Sequence, residues 1–382
     1  MVRATARLAV VVAAFSLVVA LPARAAFAFS DVPRSYWDMP QIRFAAITHT
    51  WMQDYGRDLF YPTRLETRSF LARTLVTVYA PEEPVDPSIH FSDLADDDPL
   101  YPYANVAVKL GWLGTYSQQR WAGGAPVRTF VFDKAIVLAM GTLSEPLAGL
   151  ASIHQSDGTP YAVGATFPHQ QLARWLGLHF DHGDERLDLG SRTRMKRDEV
   201  AYSLWAALTL PSWRIDAAQK FADVTLPVAT SMQRKVTSYA LNQVGYPYIY
   251  AGEWGARSPS GYCCGYQPQG GFDCSGFVWW VLKKNEGGYN AAQFRDYAGW
   301  SLPQRSSYEM AEFTKTKLTW RQLKPGNVMM FADDGGTRWQ DVSHVGIYLG
   351  NGWMMHSTRG GPQLQWAGDG YYRDHFVWGR AL

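Results

Sequence analysis

Two periodicities divide the chain. Up to about residue 210, apolar positions recur at helical spacing in short segments, at 42–51, at 105–113, and again in stretches beginning at Leu65, Val131 and Met195. Beyond residue 320 the pattern changes to strands. Lys324-Pro325-Gly326 is a turn feeding a strand over 327–331, and an alternating, β-branched strand begins at His344. A neighbouring strand carries His356, and 376–380 is expected to close the sheet. Between the halves, Val236, Tyr239, Ala240 and Val244 predict a helix over 231–243, stopped by Gly245 and Pro247. The uninterrupted apolar run 277–282 predicts a buried helix that starts at Cys274 and reaches about Lys284. A helical half followed by antiparallel strands is the α+β pattern.

The helical half repeats itself. Phe29-Ser30-Asp31-Val32 returns as Phe91-Ser92-Asp93-Leu94, and Phe221-Ala222-Asp223-Val224 is a third version of the phrase. The second helical segments, from Leu65, Val131 and Met195, are almost evenly spaced. Three units of roughly 64 residues therefore cover about 28–85, 90–145 and 155–210. The stretch 216–230 carries Pro227 and no strong periodicity, and reads as a linker.

Residues 1–25 stand apart from both halves. Arg3 and Arg7 precede an apolar stretch over 8–21, followed by Pro22-Ala23-Arg24-Ala25 with small residues at the −3 and −1 positions. That is the pattern of a secretory signal peptide cleaved after Ala25, and the apolar run is short for a membrane anchor. Without Arg3, Arg7 and Arg24 the chain keeps 33 basic against 34 acidic residues, a formal charge of −1. Such a balance offers no nucleic-acid footprint. Sixteen Trp and 21 Tyr suit carbohydrate or cell-wall surroundings.

Three cysteines are too few to staple an exported chain of 382 residues. Cys263 and Cys264 are adjacent, so they form a vicinal disulfide or remain as thiols able to trap Cys274. No second paired cluster supplies zinc-ligand spacing. Cys274 differs from both, because it follows the turn Gly270-Gly271-Phe272-Asp273 and opens the apolar helix. A thiol at a helix N-terminus meets unpaired N–H groups and the positive end of the dipole, which favour thiolate. His344 follows seventy positions on and His356 twelve later. Nucleophile, base and orienting group thus occur in the order that thiol acyl transfer needs. The backbone N–H of Cys274 is a candidate oxyanion donor. His375 fits no part of this pattern.

Six phrases in order, Gly245-Tyr246-Pro247-Tyr248, Phe272-Asp273-Cys274-Ser275-Gly276-Phe277, Arg305-Ser306-Ser307, Leu323-Lys324-Pro325-Gly326, Ser343-His344-Val345-Gly346-Ile347-Tyr348 and His356, carry a resemblance. The segment 231–382 resembles the NlpC-type cysteine endopeptidases, papain-like enzymes of the bacterial cell wall. The resemblance implies Cys274 as nucleophile, His344 as base, His356 as third polar residue and Tyr248 beside the oxyanion. It implies Asp273 and Ser275 as contacts for a peptide's free amine. It further implies hydrolysis of peptidoglycan stem peptides, typically between D-γ-glutamyl and a diamino acid, with no metal or cofactor. The loop between Tyr248 and Cys274 is longer than usual, and Pro325-Gly326-Asn327 stands where the family has Pro-Gly-Asp.

Residues 26–215 resemble a triplet of S-layer homology repeats. The family's second-helix signature, apolar-Thr-Arg-Ala-Glu followed by an apolar residue and Ala, is matched by Met195-Lys196-Arg197-Asp198-Glu199-Val200-Ala201. Repeat one keeps Thr67-Arg68 but has Phe70 in place of the acid, and repeat two has lost both charges. The resemblance implies a mainly helical module that binds wall polysaccharide through Arg197, Glu199 and Arg68, beside the bland alternative of a spacer. The whole reads as a secreted, wall-associated hydrolase. A non-catalytic wall-binding protein, or an acyltransferase or amidase of the same fold, are the competing readings. Nothing in the sequence sets the oligomeric state.

Overall fold

The computed structural model describes residues 29–257, 267–283 and 302–381. The expected signal peptide and Cys263 and Cys264 lie outside the described residues. Among the described residues no helix is long and apolar enough to cross a membrane.

In the N-terminal module the second helices are Arg68–Tyr79, Thr129–Ala139 and Arg197–Leu208. The residues leading into them pair in a ring, Leu65 with Lys196, Thr67 with Pro126, and Arg128 with Arg194. Each unit thus bonds to both others, which gives the module a pseudo-threefold centre. The recurring phrase has a local reason. Asp31 accepts from the backbone N–H of Phe60 and Tyr61, and Asp93 accepts from Trp121 and Ala122. In both units the second N–H belongs to a left-handed residue, Tyr61 (φ 57°) and Ala122 (φ 54°), so the carboxylate secures a strained turn. The first helix of unit one is short, Met39–Arg43, and continues as a π-helical turn over Phe44–Thr48. A helix over Ser144–Ala151 lies outside the two-helix pattern.

The expected linker over 216–230 is a folded connection, which corrects that boundary. Its start completes the helix Ser212–Ala218, and Thr225–Leu226 pairs in parallel with His154–Gln155. Phe221, Val224 and Leu226 are buried, and Phe221 stacks on Trp353 of the sheet at 5.5 Å. These three apolar side chains are enough to anchor it, although they follow neither the strand nor the helix period.

The C-terminal half begins with the helix Ser231–Leu241, opened by a capping box between Thr230 and Gln233. Its six-stranded antiparallel sheet comprises β1 (Lys317–Leu318), β2 (Val328–Phe331), β3 (His344–Gly350), β4 (Trp353–Thr358), β5 (Gly361–Trp366) and β6 (Phe376–Arg380). The spatial order is β1-β6-β2-β3-β4-β5. The strand at 376–380 therefore does not close the sheet; it lies between β1 and β2, and β1 and β5 are the edges. The cysteine helix, Cys274–Leu282, packs across β3 and β4. It ends at Leu282, with Lys283 already extended, just short of the expected limit.

The two halves are joined along the β5 edge. An exposed edge offers unpaired N–H and C=O groups that need covering. Here the helix Phe167–Trp175 covers them: the Gln171 amide donates to the Leu364 carbonyl and accepts from its N–H, each at 2.8 Å. Trp175 donates to Gln365, and the buried Arg174 donates to the carbonyls of Gly360, Leu189 and Gly245.

Candidate active site

Local rules place Cys274. Asp273 is the N-cap, its carboxylate accepting from the Gly276 N–H, so the helix starts at the cysteine. Just before it, Gly271–Phe272 pairs with Glu253–Trp254. Ser357 of β4 donates to the Phe272 carbonyl at 2.7 Å and ties this entry strand to the sheet. Gly276 is required by close approach, because a Cβ there would overlap the Gly252 carbonyl oxygen and crowd Arg305.

The sheet places the histidines. β3 and β4 pair with Gly346 opposite His356, so His344 sits one same-face step before that position. His344 Nε2 and His356 Nδ1 lie 2.9 Å apart, with the rings nearly perpendicular. Tyr372 closes over both, 5.0 Å from the His356 ring and 6.2 Å from that of His344. Cys274, His344 and Tyr248 line one cleft of about 420 Å³, together with Ser343, Asp333 and Tyr372. The expected nucleophile, base, third residue and tyrosine are thus brought together.

The electrostatics correct one expectation. Backbone N–H groups of Val345 and Ser275 do point at the sulfur and favour thiolate, as the helix start suggested. Burial, however, pushes the Cys274 thiol up, the Asp273 carboxylate pushes it further, and together they outweigh those donors. Burial also pulls the His344 and His356 imidazoles down. Both shifts run toward the uncharged forms, thiol and imidazole. Burial likewise raises the Tyr248 phenol, with Cys274 and Asp273 adding to it, which keeps the hydroxyl protonated as a donor.

Asp273 and Ser275, expected to meet a peptide amine, are engaged inside the protein. Ser275 donates to Asp273 at 3.0 Å, and the buried Arg305 donates to Ser275 at 2.9 Å and reaches Asp273 at 3.3 Å. Arg305 also pairs with the fully buried Glu253 at 2.6 Å and donates to the carbonyls of Ala251 and Gly252. It clasps the segment that leads into Cys274 to the residues around it. Arg305 was visible in the sequence only as part of a family phrase, because its partners lie 30 to 54 positions away. The cleft also receives Asp181 from the N-terminal module and Arg359 after β4, 3.8 Å apart. No local pattern marks either residue.

The three residues expected to hold wall polysaccharide are turned inward. Arg197 donates to the carbonyls of Phe60 and Met52 and pairs with Asp54 and Glu66. Arg68 donates to the carbonyls of Trp121 and Gly114 and lies over the Trp121 ring. Glu199 is buried against His182 at 2.7 Å. Their charges are spent on the module's own framework. Helix-start arithmetic located them correctly on the second helices and could not tell which way they face.

A profile described as the NlpC/P60 family matches residues 245–380. The bifunctional muramidase/DL-endopeptidase CwlT of Bacillus subtilis strain 168 is 36% identical over 154 residues, 40% of this chain and 37% of CwlT. The murein DD-endopeptidase MepH of Escherichia coli K12 is 31% identical over 157 residues, 39% of this chain and 47% of MepH. The chain thus spans less than half the length of these relatives. Among solved structures, RipD of Mycobacterium tuberculosis, described as a non-catalytic NlpC/p60 domain protein adapted to peptidoglycan binding, is 21% identical. That likeness covers 40% of this chain and 99% of that one, with a TM-score of 0.28. On the profile and the curated relatives together, the C-terminal part of this chain is an NlpC/P60 domain.

Proposed function

We propose that this protein is an exported cell-wall hydrolase that cleaves amide bonds in peptidoglycan stem peptides. The observation that carries the reading is the shared cleft: Cys274 opens a capped helix beside the bonded pair His344 and His356. His344 takes the thiol proton as Cys274 attacks the carbonyl, and the Cys274 N–H and Tyr248 phenol receive the developing oxyanion. His344 then protonates the departing amine, leaving a thioester, and activates water to release it. His356 orients the base. The favoured bond is D-γ-glutamyl to a diamino acid, in keeping with the stronger match to a DL-endopeptidase than to a DD-endopeptidase. Asp181 and Arg359 at the cleft wall give a charged pair suited to the ends of a short peptide. The N-terminal module then supplies part of the wall of the substrate site.

Mass spectrometry of peptidoglycan fragments tests this, with the full chain and Cys274→Ala side by side. New stem-peptide fragments from the native protein alone are expected, and their masses name the bond. His356→Asn should keep part of the activity, since an amide can also orient the base. Absence of fragments from folded, reduced protein would turn the reading toward a peptide-binding domain.

A further inference from the structure

The hydrogen-bond chain does not stop at His356. Gln363 of β5 lies directly opposite it in the β4–β5 ladder. Its side-chain nitrogen is 3.4 Å from His356 Nε2, and its Oε1 is buried with no donor. Gln363 itself is buried at 6% exposure. The two ends of a glutamine amide have nearly the same shape, so hydrogen bonding decides which end faces the imidazole.

The two orientations have opposite chemical consequences. With the amide nitrogen toward His356, that N–H donates to Nε2, so neutral His356 carries its proton on Nδ1. His356 then donates to His344 Nε2, and His344 must hold its own proton on Nδ1. Nδ1 is the nitrogen left for Cys274, and in this state it has no lone pair to accept the thiol proton. With the carbonyl toward His356, the orphaned Oε1 gains a donor, His356 Nε2–H. His356 Nδ1 becomes an acceptor for His344 Nε2–H, and the lone pair on His344 Nδ1 is free for the thiol.

We infer that Gln363 is a positioning residue whose side-chain carbonyl sets the tautomers of His356 and His344 and leaves His344 Nδ1 as the base. The inference rests on Cys274 and His344 as nucleophile and base. It extends the chain to a fourth member that touches neither substrate nor sulfur. An unpaired buried acceptor is costly, and of the two orientations only the one with the carbonyl toward His356 gives Oε1 a donor.

The test is nitrogen NMR of the full chain labelled with 15N-histidine, which reads the tautomer of each ring directly. His356 and His344 should both carry their proton on Nε2 near neutral pH. A proton on Nδ1 of His356 overturns the inference, whatever the variants do. Iodoacetamide alkylation of Cys274 supplies a second readout that needs no peptidoglycan. Gln363→Leu should slow it by about tenfold or more, the order seen when a metal-bound histidine loses its outer partner. Gln363→Glu, which retains an acceptor, should restore both rate and tautomer. Alkylation of folded Gln363→Leu at the native rate would refute the positioning role, and should that variant not fold, the native spectrum decides alone. A protein with these tautomers that leaves peptidoglycan intact would sink the proposed substrate and spare the relay.

Discussion

Replacing Arg197 by methionine separates a ligand-binding arginine from a structural one. The guanidinium makes two backbone bonds of 2.8 Å, to Phe60 and Met52, and two ion pairs, to Asp54 at 2.5 Å and Glu66 at 3.2 Å. All three charged side chains are 1% exposed. Arg73 remains beside Asp54 in the variant, so the larger loss falls on Glu66. Removing one partner of a buried pair costs about 3–5 kcal/mol, because a desolvated charge is left behind. Spread over the unfolding entropy, about 4 kcal/mol lowers Tm by about 5 °C if the whole chain unfolds together. The drop is about 10 °C if the N-terminal module unfolds alone. Burial pushes the Glu66 carboxyl up to about 7 even with Arg197 pulling it down, and loss of Arg197 raises it further. A folded-state value above the ordinary 4.5 means the associated stability is fully present below 4.5 and is lost as pH rises through about 7. The deficit of Arg197→Met should therefore be larger at pH 8 than at pH 5. Thermal unfolding at both pH values, with the exposed Arg192→Met as control, reads this. A native Tm combined with lost sedimentation on purified wall polysaccharide would refute the structural account and restore a ligand role.

Two further outcomes are expected. Arg305→Met should destabilise by about 3 kcal/mol and lower kcat/KM at least tenfold, since it strips the clasp from Asp273, Ser275 and Glu253. Arg305→Lys should rescue neither, because one ammonium cannot reproduce the fork, and full rescue by lysine would show that charge alone suffices. Because burial and Asp273 raise the Cys274 thiol, alkylation should climb about tenfold per pH unit from 7 to 9, whereas a plateau already reached below pH 7 would mean a preformed ion pair.

What the sequence determined by itself is what depends on neighbours along the chain. A capping aspartate before an apolar run set the start of the helix at Cys274, and alternation from His344 set its strand, because both signals act over a few positions. The repeating aspartate phrase was legible for the same reason in its first two copies, Asp31 and Asp93 each closing a turn later in its own unit. Strand β5 was missed: Gly361-Pro362-Gln363-Leu364-Gln365 reads as polar and turn-like, and its edge is completed by Gln171, 193 positions earlier. The inward turn of Arg197, the packing of 216–230 and the raised thiol were decided only by the assembled molecule. Burial and the company of other charges are not properties of a segment. They arise when distant elements exclude water together, and that exclusion sets which arginine is a clasp and which way a thiol's proton affinity is pushed.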